Sequence, residues 1–256
     1  MRDDVSMVNT AWPVRESLQR RNTLADWMFY DVGALTGAEF SKLSEEVNLE
    51  GAILVVEPGG GGNTVRIEKF ETFKAFREAP GDLLCHFTVA GVGSSDVGAA
   101  ALARSLANHV DAPVGAIVAG YGMSDLLSEA LGGWYFFGTA NRTLGLVDKV
   151  REKVGGFSMW PKNLFGFDDL LRTKTVHSPD TRALVRLLSE EERRIETLLG
   201  HSKGCLSISY ALDRISAERN GGSFERARDI DVITTGAVVD FPKGLNRVRQ
   251  YLGAID

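Results

Sequence analysis

Residues 83–119 alternate between strand-like and helix-like segments, and that alternation admits few architectures. Residues 83–90 (LLCHFTVA) form a short apolar run with strand composition. Residues 96–110 are alanine-rich and helical in pattern, with Ser94 or Ser95 available as the cap. Residues 114–119 (VGAIVA) are apolar and strand-like again, and 124–131 read as a further short helix. Strand, helix, strand, helix predicts a mostly parallel sheet flanked by helices, an α/β class. Upstream, 52–57 and 64–70 read as a hairpin around Pro58 and the run Gly59, Gly60, Gly61 and Gly62. That run lacks the G-x-x-x-x-G-K-[ST] frame and no helical pattern follows it, so it reads as a turn rather than a phosphate loop.

The second half repeats the alternation. Ser178 or Asp180 can start a helix reaching about Arg194, residues 195–200 are strand-like and 205–217 helical. Residues 220–222 form a turn, 231–239 a strand, and 245–252 a helix-like end. Residues 1–50 read as an N-terminal helical segment, with helices expected over 16–28 and 36–47, ahead of one α/β unit over 51–256. Within it, 133–176 breaks the periodicity and concentrates aromatic residues, among them Trp134, Phe136 and Trp160. It is too apolar for a linker and reads either as core or as a cap over a site. There, these side chains would line a substrate pocket.

Between the strand at 195–200 and the helix at 205–217 stands Gly200-His201-Ser202-Lys203-Gly204. G-x-S-x-G alone is a weak pattern. In a strand-to-helix context it becomes a candidate nucleophile elbow. The tight turn lifts the Ser202 hydroxyl over the sheet edge, with glycines where a Cβ would collide. It also leaves the Lys203 N–H at a helix N-terminus, where an oxyanion can be held.

The element order over about residues 50–256 resembles the α/β-hydrolase superfamily, in particular bacterial esterases and lipases. Besides the elbow, Val89-Ala90-Gly91-Val92-Gly93-Ser94-Ser95 looks like the loop after the third strand of these enzymes. The resemblance implies a serine hydrolase acting on a carboxylic ester. Ser202 would be the nucleophile and Val92 and Lys203 the backbone oxyanion donors. His201 would pack beside the site. A small-molecule acyl substrate is implied and no cofactor.

A serine nucleophile needs a base, and the base an orienting acid. On this fold the chain order is Ser, then Asp or Glu, then His. No histidine follows Ser202: the four are His86, His109, His177 and His201. His86 reads as core, His109 as a surface helix end and His201 as the elbow neighbour. His177, in the loop before a helix, is the one remaining candidate base. The expectation is an incomplete triad in a chain that lacks the last strands, with a lost base as the alternative. Asp240, directly after the strand at 231–239, and Asp256 are the candidate acids.

Two other classes compete. Gly91, Gly93 and Gly98 lie between a strand and a helix, as in dinucleotide-binding proteins, but the spacing is not G-x-G-x-x-G and no Asp or Glu ends the next strand. A non-catalytic hydrolase-fold protein binding an apolar ligand or a partner is the second. Lys and Arg total 29 against 34 Asp and Glu, a net charge of −5, and no basic run suggests nucleic acid. No apolar run approaches the ~18 residues of a membrane span, and the first residues carry no leader-like apolar stretch. Cys85 and Cys205 read as small buried hydrophobes, and a cytoplasmic location is the expectation. Oligomeric state is not legible.

Overall fold

The computed structural model describes residues 26–27, 29–46, 48–59, 64–91, 94–119, 177–218 and 222–252. In it seven strands form one sheet: β1 (Ile53–Val56), β2 (Ile67–Phe70), β3 (His86–Val89), β4 (Val114–Ile117), β5 (Thr197–His201), β6 (Asp231–Thr235) and β7 (Arg247–Tyr251). Their order is β2-β1-β4-β3-β5-β6-β7. β1 runs antiparallel to both β2 and β4, whereas β4, β3, β5, β6 and β7 are mutually parallel. The architecture is α/β, a mixed, mostly parallel sheet with flanking helices.

Among the described residues the helices are α1 (Gly37–Glu45), α2 (Phe73–Glu78), α3 (Asp96–Val110), α4 (Pro179–Ser189), α5 (Lys203–Ala217) and α6 (Ser223–Ala227). Caps explain several boundaries. Thr36 and Glu39 form a reciprocal capping box at α1. The Thr72 hydroxyl accepts the Ala75 N–H at α2, and the Ser95 hydroxyl accepts the Val97 N–H at α3.

Strand residues alternate between two cores. Leu54, Val56, Val114 and Ala116 pack with α3, whereas Ile53, Phe87, Val89 and Leu198 pack with α4 and α5. Two-sided burial is what makes the central strands read as continuous apolar runs. A buried ion pair joins the layers on the α3 side. Arg104 Nη2 donates to Glu39 Oε1 at 2.6 Å, and the Arg66 N–H donates to the same oxygen at 2.9 Å.

Three sequence expectations need correction. Residues 245–252 are not helical: Arg247–Tyr251 is β7, in register with β6 from Asp231↔Arg247 to Thr235↔Tyr251. Val248 faces the core there and sheet pairing overrides local pattern, so two strands, not one, follow α5. The helix expected to reach Arg194 stops at Ser189. The chain turns extended so that Arg193 can stack over Phe76 and Phe87, at 5.0 and 5.7 Å from their ring centroids. Cys85 lies just ahead of β3 and is only partly covered, whereas Cys205 is buried as expected. No described helix is long and apolar enough to cross a membrane.

Candidate functional site

The chain leaves β3 toward α3 on one face and leaves β5 toward α5 on the other. β3 and β5 are neighbours, paired up to Val89↔Gly200. The winding reverses between them, and such a switch point opens a crevice at the carboxyl ends of the two strands. The loops that border it start at Gly91 and at Ser202.

Ser202 lies directly between β5 and α5, half-buried, with φ 51° and ψ −115°. These are the dihedrals of the first central residue of a type II′ turn, a position that glycine dominates. A serine there stores about 1–3 kcal/mol of strain. Hydrogen bonds hold it: the Ser202 N–H donates to the Thr235 carbonyl at 3.0 Å, and the Cys205 N–H to the Ser202 carbonyl at 3.0 Å. Both glycines of the motif are required for space. A Cβ on Gly204 would stand 2.1 Å from the Val89 carbonyl oxygen, and one on Gly200 2.9 Å from the Cys205 nitrogen.

Three side groups converge on the crevice. A Cβ on Gly91 would lie 3.0 Å from His201 Nδ1, 3.2 Å from the Tyr30 hydroxyl and 3.3 Å from Ser202 Cβ. The Tyr30 hydroxyl accepts the Gly91 N–H at 2.8 Å and lies 2.8 Å from His201 Nδ1. The Tyr30 ring meets the His201 ring edge-on, 5.2 Å between centroids, and Phe29 lies 5.9 Å from the same ring. Loss of water around the hydroxyl raises the Tyr30 phenol above its ordinary range, so it is neutral.

Asp26 anchors this segment. Its carboxylate accepts the Ser95 hydroxyl at 2.5 Å and the Ser95 N–H at 3.2 Å, at the far end of the loop that Gly91 begins. Burial pushes its carboxyl up from 3.8 to about 6, against the lowering by the Ser95 bonds. A folded-state value above the unfolded one means that this contribution is fully present below about 3.8 and is lost as pH rises through about 6. We expect the native chain to lose about 3 kcal/mol relative to Asp26→Asn across that window. Urea unfolding of both proteins at several pH values from 4 to 7 measures it. A constant difference between them would show that Asp26 does not titrate differently on folding.

Lys203 begins α5, so its N–H belongs to the first turn, whose donors have no partner within the helix. Its side chain takes the opposite course. Nζ is buried, 3.1 Å from Glu50 Oε1, 3.5 Å from Asp180 Oδ1 and 3.0 Å from the Ala119 carbonyl. Asp180 also accepts the Ser207 hydroxyl at 2.8 Å. Burial is the main cause holding the Glu50 carboxyl above its ordinary value; Lys203 opposes it and Asp180 adds to it.

The other candidates are placed as follows. Asp240 is exposed in the loop after β6, where its backbone carbonyl accepts the Ser209 hydroxyl. His177 is exposed two residues ahead of α4. Asp180, in the first turn of α4, reaches Lys203, so this helix end shares the sheet edge with Ser202. His86 opens β3, half-buried, with Nδ1 3.1 Å from Thr197 Oγ1, and His109 is exposed near the end of α3. Val92, Trp134, Phe136, Trp160 and Asp256 lie outside the described residues, as does nearly all of the segment 133–176. Among the described residues no group of three or more His, Cys, Asp or Glu could hold a metal ion.

Sequence reasoning missed Tyr30 and Asp26, which no local pattern marks, and the side-chain partners of Lys203. Comparison with known protein families, curated proteins and solved structures finds no match to this chain.

Proposed function

We propose that this chain is a serine hydrolase of the α/β-hydrolase type, cleaving a carboxylic ester through an acyl-enzyme. The observation that carries the reading is the backbone of Ser202. A non-glycine residue in a glycine conformation, on a strand-to-helix turn at the switch point of the parallel strands, holds strain at that turn. Strain of this kind clusters at functional sites, and here it falls on the candidate nucleophile.

In this reading Ser202 Oγ attacks the ester carbonyl and gives its proton to a base. The N–H groups of Val92 and Lys203 hold the resulting oxyanion. The tetrahedral species collapses, the alcohol leaves with that proton, and water then releases the acid by the same steps in reverse. Among the described residues His177 is the candidate base. Asp240 and Asp256 remain the candidate acids. Phe29, beside His201 and 42% exposed, with the exposed Trp27 two residues before it in the chain, favours an apolar acyl group.

The test is labelling by a fluorophosphonate probe, with p-nitrophenyl butyrate turnover measured in parallel. With an incomplete triad, the native chain is expected to be labelled slowly at Ser202 and to turn the ester over very slowly or not at all, and Ser202→Ala to lose the label. Labelling that persists in Ser202→Ala places the nucleophile elsewhere. No labelling of a folded native chain favours binding of an apolar ligand in the crevice without catalysis.

A further inference from the structure

We propose that Tyr30 is a positioning residue for the nucleophile site, holding the loop after β3 against the turn that carries Ser202. The inference rests on the reading of Ser202 as a nucleophile and adds a role for a segment that precedes the sheet.

Tyr30 is fixed on its own side before it touches the site. Its N–H donates to the Asp26 carbonyl at 2.8 Å, and its carbonyl accepts the Val32 N–H at 2.8 Å. Asp26 holds Ser95, and Tyr30 holds Gly91, so one short segment grips the loop at both ends. The Ser94 N–H donates to the Gly91 carbonyl at 3.3 Å, between those grips. The same tyrosine then reaches across to the residue directly before Ser202.

The proposed link has a direction. A phenol has one proton and two lone pairs. Gly91 donates to one lone pair, the Ser94 side chain is a further partner, and the Tyr30 proton is assigned to His201 Nδ1. His201 is then held as an acceptor at Nδ1, with its own proton on Nε2. A chain of donors then runs from the Gly91 N–H through Tyr30 to His201, the residue directly before Ser202. One hydroxyl therefore links the start of the loop after β3 to the last residue of β5. A misplacement of about 1 Å between reacting groups can cost ~100-fold in rate.

Tyr30→Phe keeps the ring and removes both bonds. The expected result is a fall of about 10- to 100-fold in the rate of Ser202 labelling by a fluorophosphonate. The His201 ring nitrogens, followed by 15N NMR, should shift from the Nε2-protonated form of the native chain to a mixture. Phe76→Leu serves as the structural control. It trims the core near Arg193, at the other end of the strands, so it should lower the thermal midpoint without slowing labelling. Labelling of Tyr30→Phe within twofold of native, or an equal slowing by Phe76→Leu, overturns the proposal. So does a His201 tautomer that Tyr30→Phe leaves unchanged. A native chain that is folded but not labelled at Ser202 overturns the nucleophile reading and the positioning role with it, and that outcome is seen without any Tyr30 variant.

Discussion

Lys203→Ala is expected to destabilise the chain by about 3–5 kcal/mol, because it leaves the buried Asp180 and the half-buried Glu50 without their cation. Asp180 has no exposure, and the Lys203 side chain is 6% exposed. Two carboxylates share that one ammonium, and Asp180 is left with the Ser207 hydroxyl and the neighbouring Glu50 carboxyl when it is gone. The loss depends on pH in a calculable direction. Removing Lys203 takes away a group that lowers the Glu50 carboxyl and leaves Asp180 to raise it. A carboxyl held higher in the folded state lowers stability as pH rises through its folded value. The gap between native and Lys203→Ala should therefore widen as pH rises through the Glu50 value. Replacing the buried charges together removes the unpaired ones, so Lys203→Met with Asp180→Asn and Glu50→Gln should recover most of the loss. Urea unfolding of the three proteins decides it. A Lys203→Ala loss under about 1 kcal/mol would mean that the cluster is open to water.

The position of this lysine matters to the site as well as to stability. Lys203 joins the first turn of α5 to the loop before β1, to the chain just past β4 and to the start of α4. The strained turn at Ser202 needs surroundings that over-determine it, and this cluster is one of them. The Thr235 carbonyl, which takes the Ser202 N–H, is another.

How much of this was legible in the sequence depended on range. The hairpin, β3, α3, β4, β5 and α5 announce themselves because their periodicity and caps are local. The bounds of α3, Asp96–Val110, agree with the pattern because Ser95 ends it chemically at one side and Asp111, in a left-handed conformation, at the other. β7 did not announce itself. Arg247–Tyr251 alternates too weakly to be told from a helix, and only its pairing with β6 decides. The end of α4 was hidden for a similar reason, since Arg193 is drawn inward by two rings far off in sequence. In the site, the G-x-S-x-G glycines were legible because their cause is the turn itself. Tyr30 was not: its partners lie 61 and 171 residues away.

Gly204→Ala is the second large effect expected. Gly204 has no left-handed backbone, so alanine is conformationally acceptable there and would even favour the helix. Space alone forbids it. The added Cβ would stand 2.1 Å from the Val89 carbonyl oxygen, 2.7 Å from its carbon and 2.9 Å from the Ala90 carbonyl oxygen. All three are backbone atoms, and no rotamer change can relieve them. α5 must move off β3, which separates Ser202 from the loop at Gly91. We expect a loss of at least about 3 kcal/mol, in the range reserved for overpacked or broken cores. Labelling of Ser202 should fall by about 100-fold or more, as misplaced catalytic groups do. Gly37→Ala is the contrast, with nothing within 4 Å of the new Cβ at the first position of α1. It should raise stability by about 0.5–1 kcal/mol and leave labelling unchanged. Thermal unfolding and labelling kinetics of the two variants separate the cases. A Gly204→Ala chain with native stability and native labelling would mean that β3 and α5 are not in the close contact on which the site depends.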